Sequence, residues 1–292
     1  MLCVTSYVII VDGKKIADRI KDEIVAEVLR CNNNDICATK RPLLAIILVG
    51  ERPDSALYVS LKEKEAKKVG IDTSLYRLPE DAPATELEEM IKFLNKDEST
   101  DAILLQLPLP AQMNADKMVA LIKPEKDVDG FHPENLKKLN RGLADNVPPV
   151  AQVVLEILDE IKVDAAGKKA VIVANSKIFG QALAKVLELH GAAASVVSSS
   201  DKKLAEKTSQ ADILITAAGE PGLITAEHVK KGAVVIDVGI TKMPDGRVRG
   251  DVDAESVKDQ AGYLTPVPGG VGPITIAAAL RNTLEIWENK NK

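Results

Sequence analysis

Two rhythms alternate along this chain. Short runs in which almost every position is apolar are separated by longer stretches in which apolar residues recur every three or four positions. The first rhythm predicts strands at 43–49, 75–78 and 102–105, and again at 169–174, 195–197, 213–216 and 233–238. The apolar run 2–11, which includes 8–11, predicts a first strand ending at Asp12-Gly13. The second rhythm predicts helices. One covers 14–29, with Ile16, Ile20, Ile24 and Val28 on one face. Another covers 55–69 and is closed by Gly70. A third covers 85–94, opened by a capping box at Thr85 and Glu88. Further helices are predicted over 152–161 and 180–190, and the apolar stretch 274–287 also has helical spacing. Such alternation predicts an α/β protein with doubly wound parallel sheets. The polar segment 137–146 predicts a boundary between a domain over 1–146 and a Rossmann-like one over 147–273.

Composition narrows the function classes. With 292 residues and 46% apolar content the chain has length and core enough for two ordinary domains. Only 3% of residues are aromatic, and a net charge of −5 is spread without a basic stripe, which argues against nucleic acid as a partner. Cys3, Cys31 and Cys37 are odd in number and isolated, which suits a reducing cytosol. His132, His190 and His228 are scattered, so no metal site is expected. The run 2–11 is too short to span a bilayer, and a soluble cytoplasmic protein is expected.

Strands of such sheets deliver ligand-binding residues beyond their carboxyl ends, here Gly50, Gln106, Asn175, Gly219 and Gly239. Tyr58 and Lys62 lie four apart on one predicted helix face, near its N-terminal end. A surface lysine beside a half-buried tyrosine is the plainer reading, and proton transfer requires a desolvated amine. Gln106 precedes Leu107-Pro108-Leu109-Pro110 and offers a donor and an acceptor, either as a strand-end cap or to a ligand. In Lys126-Asp127-Val128-Asp129-Gly130 the two carboxylates lack the further ligands of a calcium loop. They make either a charged turn or an acceptor for paired N–H groups. A strand leads through Asn175-Ser176 to a helix at Gly180, the place for a pyrophosphate, although G-x-G-x-x-G is absent. Ser198, Ser199 and Ser200 stand after the next strand, where they either bond a ribose phosphate or form a loop. Finally, 265–275 holds three prolines and three glycines. It reads as a rigid non-helical loop, either a linker or a ligand wall.

Together these segments resemble the methylenetetrahydrofolate dehydrogenase/cyclohydrolase family. The likeness runs through Asp12-Gly13-Lys14, Asp54-Ser55-x-x-Tyr58-x-x-x-Lys62, Gln106-Leu107-Pro108, the segment 126–130, the run 233–240, Gly250-Asp251-Val252 and the Pro-Gly-Gly loop. The resemblance implies a folate-binding catalytic domain and a dinucleotide-binding domain, with a last helix over 274–292 returning to the first domain and assembly as a homodimer. It implies oxidation of 5,10-methylenetetrahydrofolate to the methenyl form with NADP, then hydrolysis to 10-formyltetrahydrofolate. On it, Lys62 is the catalytic residue, assisted by Tyr58, Gln106 and Asp129. Ser55, Leu105, Leu107, Pro268 and Gly269 complete the folate contacts. Ala174, Asn175, Ser176, Ile178, Gly180, Ser199, Gly219 and Ile240 meet the dinucleotide.

Two segments depart from the family pattern, both on the dinucleotide side. Ala174-Asn175-Ser176 stands where the family carries Gly-Arg-Ser, and Pro148-Pro149-Val150-Ala151-Gln152-Val153 where it carries Pro-Cys-Thr-Pro-x-Gly. Losing the arginine removes a fixed cation, so NAD is the alternative to NADP. The rival functions are a cyclohydrolase with weakened or NAD-dependent dehydrogenase activity, and a catalytically silent folate-binding relative.

Overall fold

The structure, a computed structural model, describes residues 8–32, 40–144 and 147–292. In chain order its elements are β1 (Ile9–Ile10), α1 (Gly13–Asn32), β2 (Leu43–Val49), α2 (Pro53–Lys68), β3 (Asp72–Leu78), α3 (Ala84–Lys96), β4 (Ala102–Leu105), α4 (Ala115–Val119), α5 (Pro133–Asn140) and α6 (Pro149–Glu160). They continue with β5 (Lys169–Ala174), α7 (Lys177–Leu189), β6 (Ala193–Val197), α8 (Leu204–Thr208), β7 (Ile213–Ala217), β8 (Val234–Asp237), β9 (Thr241–Lys242), β10 (Val248–Arg249), α9 (Ala254–Val257), β11 (Tyr263–Leu264) and α10 (Val271–Asn291). These form two compact units. One joins Ala17–Pro149 to Ile276–Lys292, and the other joins the described residues up to Ile16 to Val150–Thr275. Among the described residues no helix is long and apolar enough to cross a membrane.

The first unit holds a parallel sheet in the order β3-β2-β4. The central strand β2 is almost wholly buried, as its unbroken apolar run requires. It pairs with β3 from Leu43↔Asp72 to Val49↔Leu78 and with β4 from Leu44↔Ala102 to Ile47↔Leu105. Leu87, Ile91 and Leu94 of α3 pack with Ile47, Ile103 and Met118 beside this sheet. Three expectations need correction here. β3 begins at Asp72 rather than at 75, because the ladder with β2 recruits Asp72, Thr73 and Ser74, whose polar side chains give no strand signal. The capping box is absent: α3 starts after Pro83 with no side-chain cap, and Glu88 instead pairs with Lys117 at 2.6 Å. The polar segment 137–146 is not all linker, since Lys137–Asn140 complete α5 and bury Leu139. Asp145 and Asn146 lie outside the described residues.

The second unit holds a six-stranded parallel sheet in the order β1-β11-β8-β7-β5-β6. Read from β6, the five strands of this sheet that follow α6 run second, first, third, fourth, fifth, the doubly wound order whose switch point opens between β5 and β7, while β9 and β10 pair separately. β1 pairs with β11 through Ile9↔Tyr263 and Ile10↔Leu264, so residues 8–16 belong here and not to a domain over 1–146. Two main-chain bonds at 2.9 Å fix that edge, from Ile9 N to the Gly262 carbonyl and from Val11 N to the Leu264 carbonyl. Gly13 follows at once, and a Cβ on it would run into the Gly270 carbonyl. An apolar dipeptide does not reveal which sheet edge it joins. Residues 2–7 of the expected first strand, with Cys3 and Cys37, lie outside the described residues.

Three helices begin three residues earlier than their apolar patterns suggest, and the first of them, α6, starts at Pro149. α7 starts at Lys177, with Ser176 as its N-cap, and Gly180 lies inside it. α10 starts at Val271 and includes Pro273, so the tail of the Pro-Gly loop is helical after all. A proline is tolerated in a first turn because its missing N–H has no partner there anyway.

Farther along α10, Asn282 is fully buried and donates to the Val128 carbonyl at 2.9 Å and the Val147 carbonyl at 3.0 Å. Asn282→Leu would strand these acceptors. A loss of about 2–4 kcal/mol is expected from the urea midpoint. A loss below about 0.5 kcal/mol would show that the two carbonyls find other donors.

Candidate functional site

The candidate side chains fall into two groups, one in each unit. In the first unit α2 opens with Pro53 and buries Ser55, Val59 and Ala66. Tyr58 and Lys62 follow one another on adjacent turns, both partly exposed. Across from them β4 ends at Leu105, and the main chain of Gln106 continues the ladder by donating to the Ile47 carbonyl at 2.9 Å. The peptide Leu107-Pro108 is cis, and the chain leaves the sheet there. The Gln106 amide donates from Nε2 to the Leu107 carbonyl at 2.7 Å and accepts from Lys62 Nζ at 2.9 Å. A flipped amide would point N–H groups at an amine, so this orientation is fixed by charge.

The third side of this group is the segment 126–130, where three charged residues have three fates. Lys126 is buried and donates to the Leu94 carbonyl at 2.9 Å and the Asp97 carbonyl at 2.7 Å. Asp127 is buried and accepts from His132 N at 2.8 Å and from Asn135 Nδ2 at 3.0 Å. With Asn282 bonding the Val128 carbonyl and Gly130 at φ +68, the backbone is held on both sides. Asp129 stays beside Lys62, crowded by protein atoms although part of its surface reaches solvent.

Charge and burial set the protonation of the group. Burial pushes Lys62 below the usual amine range, and the Asp129 charge opposes that fall. Burial pushes Asp129 up to about 6, against the pull of Lys62 and with help from Asp127. Burial and then the Asp54 charge raise the Tyr58 hydroxyl, which therefore stays protonated at neutrality. The arrangement couples a proton carrier, a carboxylate ionised near neutral pH and a neutral phenol. Tyr58, Lys62, Gln106 and Asp129 thus come together. The Leu105 side chain belongs instead to the apolar core, and Ser55 is buried under α2. A pocket of about 540 Å³ elsewhere in this unit contains none of these four. Two of its lysines are already engaged, Lys126 as above and Lys290 with Asp101 at 2.7 Å. Among the described residues no cluster of three or more histidine, cysteine or acidic side chains is placed to hold a metal.

In the second unit the carboxyl ends of β5, β6 and β7 meet. Ser176 caps α7, accepting from Phe179 N at 3.4 Å. Asn175 Oδ1 accepts from Ser199 N at 3.3 Å and Ser199 Oγ at 2.9 Å, tying the ends of β5 and β6 together. Gly219 follows β7 with φ +73, and nothing lies within 4 Å of where a Cβ would stand. Exposed Asn175, Ser176, Gly219 and Ile240 leave open, polar main chain around a helix N-terminus, which fits a dinucleotide. Gly180 has another use: a Cβ there would come within 2.7 Å of Val196, so its bareness lets α7 lie against β6. Pro268 and Gly269 are exposed in their loop, with Gly269 at φ +100 and a cis Val267-Pro268 peptide before them.

Beneath β7 and β8 sit two buried carboxylates that sequence reasoning passed over. Asp251 accepts from Thr216 Oγ1 at 2.8 Å, Ala218 N at 2.6 Å and Glu220 N at 2.8 Å, and so fixes the turn after β7. Asp237 accepts from Gly239 N, Asp251 N and Val252 N at 2.9–3.1 Å. Burial chiefly, with the charge of Asp251 adding to it, pushes Asp237 up to about 7. Each carboxylate occupies the room left by a glycine. A Cβ on Gly250 would collide with Asp237 Oδ2, and one on Gly239 with the Asp251 carboxyl. The available signal was an acid at the end of an apolar strand and another directly after a glycine.

Comparison with known proteins agrees with this geometry. Residues 11–129 match the tetrahydrofolate dehydrogenase/cyclohydrolase catalytic domain, and residues 148–291 match the NAD(P)-binding domain of the same family. The chain is 44% identical to the bifunctional protein FolD of Sulfurihydrogenibium sp. over 284 residues, covering 97% of this chain and 98% of the relative. Among solved structures it resembles the bifunctional FolD dehydrogenase/cyclohydrolase of Campylobacter jejuni, with TM-score 0.89 and 40% identity over 96% of this chain and 98% of that one. It also resembles the Trypanosoma brucei enzyme solved with NADP cofactor and inhibitor, with TM-score 0.92 and 35% identity over 97% of this chain and 98% of that one. Matches to both domain models and to relatives over nearly the whole length make the chain a member of the tetrahydrofolate dehydrogenase/cyclohydrolase family.

Proposed function

We propose that this chain carries out both reactions of its family. It oxidises 5,10-methylenetetrahydrofolate to the methenyl form with NADP, NAD being the alternative, and hydrolyses that product to 10-formyltetrahydrofolate. The observation that carries the reading is Lys62, an amine 2.9 Å from Gln106 Oε1 whose pKa is lowered by burial. An unperturbed lysine is neutral in only about one molecule in a few thousand at pH 7, so desolvation is what gives it use as a base.

In hydrolysis the neutral Lys62 amine takes a proton as water oxygen bonds to the one-carbon bridge. The carbon–nitrogen bond then breaks. One proton of the water ends on the freed nitrogen and the other leaves to solvent. Gln106, itself anchored on the Leu107 carbonyl, holds Nζ in position through both transfers. Asp129 accepts the paired amino and ring N–H groups of the pterin, and the neutral ring of Tyr58 packs on the folate. The family resemblance adds Ser55, Leu105, Leu107, Pro268 and Gly269 to the folate contacts, although Ser55 and the Leu105 side chain are buried here.

A dinucleotide bound in the second unit would supply the hydride acceptor that oxidation of the methylene bridge needs. Asn175, Ser176, Ile178, Ser199, Gly219 and Ile240 line its place, with Ala174 and Gly180 shaping the turn below. The same proposal includes a homodimer in the cytoplasm. The dimer is supported by β6, which ends its sheet as an open edge with Val196 exposed, a surface that a second copy would cover. The compartment is supported by the three cysteines isolated along the sequence, which suit a reducing environment.

Lys62→Met is expected to slow hydrolysis of the methenyl substrate by about a hundredfold or more. Affinity for a folate analogue should stay within several-fold. Unchanged hydrolysis would remove Lys62 from the mechanism. The same variant loses the cation that holds Asp129 down, so the Asp129 carboxyl should titrate above about 6 by carbon NMR. Binding of the analogue should also weaken as pH falls through about 6, where Asp129 takes up a proton and loses acceptor capacity. In Asp129→Asn that pH dependence should flatten, which fluorescence titration at pH 5 and pH 8 would show.

A further inference from the structure

Three turns meet at the switch point of the second unit, and one of them carries an exposed carboxylate. Ala218, Gly219 and Glu220 follow β7. Glu220 Oε1 lies 2.5 Å from Ser199 Oγ, whose one proton it shares with Asn175 Oδ1, and is reached by Asn175 Nδ2 at 3.5 Å. Asn175 Nδ2 also donates to the Ala218 carbonyl at 3.2 Å. The turn itself cannot drift, because the fully buried Asp251 accepts from both Ala218 N and Glu220 N. Asn175, Ser199 and Glu220 therefore form one hydrogen-bonded triangle across the ends of β5, β6 and β7, anchored from below.

In doubly wound dinucleotide folds the residues just past the second strand read the adenosine ribose. An acid there accepts from a free 2′-hydroxyl, whereas a 2′-phosphate calls for an arginine. Here the second strand is β6. It ends in Ser198, Ser199 and Ser200, and Asp201 just beyond them is taken by Lys207 at 2.5 Å. Asn175 supplies no cation. The acid beside this position arrives instead from the turn after β7. We infer that Glu220 is a specificity-determining residue of the dinucleotide site, a carboxylate that favours an unphosphorylated ribose and penalises a 2′-phosphate. The inference rests on the proposed dinucleotide site at β5–β7. A 2′-phosphate brings close to two negative charges towards a fixed third, and the Asn175 amide does not neutralise any of them.

The test is calorimetric titration of the purified full chain with NAD, NADP, 5′-AMP and 2′,5′-ADP, beside Glu220→Gln and Glu220→Lys. In Glu220→Gln, 2′,5′-ADP and NADP are expected to bind about tenfold tighter, with 5′-AMP and NAD unchanged or weaker. Glu220→Lys should move the ratio further in the same direction. Equal changes for phosphorylated and unphosphorylated ligands, or no change in either variant, would overturn the inference while leaving the site in place. Failure of the unaltered chain to bind any of the four ligands would overturn the site reading, and the inference with it.

Discussion

A parallel sheet sends the carboxyl end of every strand to one edge, and both units of this protein are built on that constraint. Loops that leave that edge carry side chains whose spacing is fixed by strands about 4.8 Å apart. Gln106 stands where β4 stops, opposite a helix that begins just after β2 stops. Asn175 and Gly219 stand beyond β5 and β7, the two strands flanking the switch point. Neither group depends on long flexible connections. Gln106, Asn175 and Gly219 stand within two residues of a buried strand, while Tyr58 and Lys62 are carried by α2, so packed elements set the positions in both groups.

The group around Lys62 shows how one charged segment is divided between support and presentation. Lys126 and Asp127 turn inward and bond carbonyls and amides, because a buried ion left unpaired would carry a large desolvation cost. Their bonds hold the backbone that presents Asp129. Lys62 is treated in the opposite way. It donates to a neutral amide, and the nearby carboxylate is itself raised towards neutrality. A tight ion pair would have kept the amine protonated. A neutral acceptor positions it and leaves the proton free to move.

Much of this was legible in the sequence because strands buried on both faces are apolar throughout. The strands at 102–105 and 169–174 have the expected bounds, and the alternation of strand and helix patterns sets the fold class. Tyr58, Lys62, Gln106 and Asp129 were legible through spacing and family motif together. Other features have no local signal. The ladder draws polar Asp72 into β3, and β1 joins a sheet whose other strands begin about 160 residues later. Asp251, Glu220 and Asn282 act on main chain or side chains far away in sequence, through hydrogen bonds that no periodicity reports. The pattern around Gly180 points to a helix start, yet this glycine serves close packing, which only the facing Val196 reveals.

The two buried acids beneath the turn after β7 restrict what can replace them and their neighbours. Asp237 fills the hollow left by Gly250, and Asp251 fills the one left by Gly239. Enlarging either glycine collides with an acid, and shrinking either acid orphans several amides at once. A single exchange at any of these four positions therefore disturbs one of the other three. The four positions are coupled through direct contact, so the costs of exchanging them should not add.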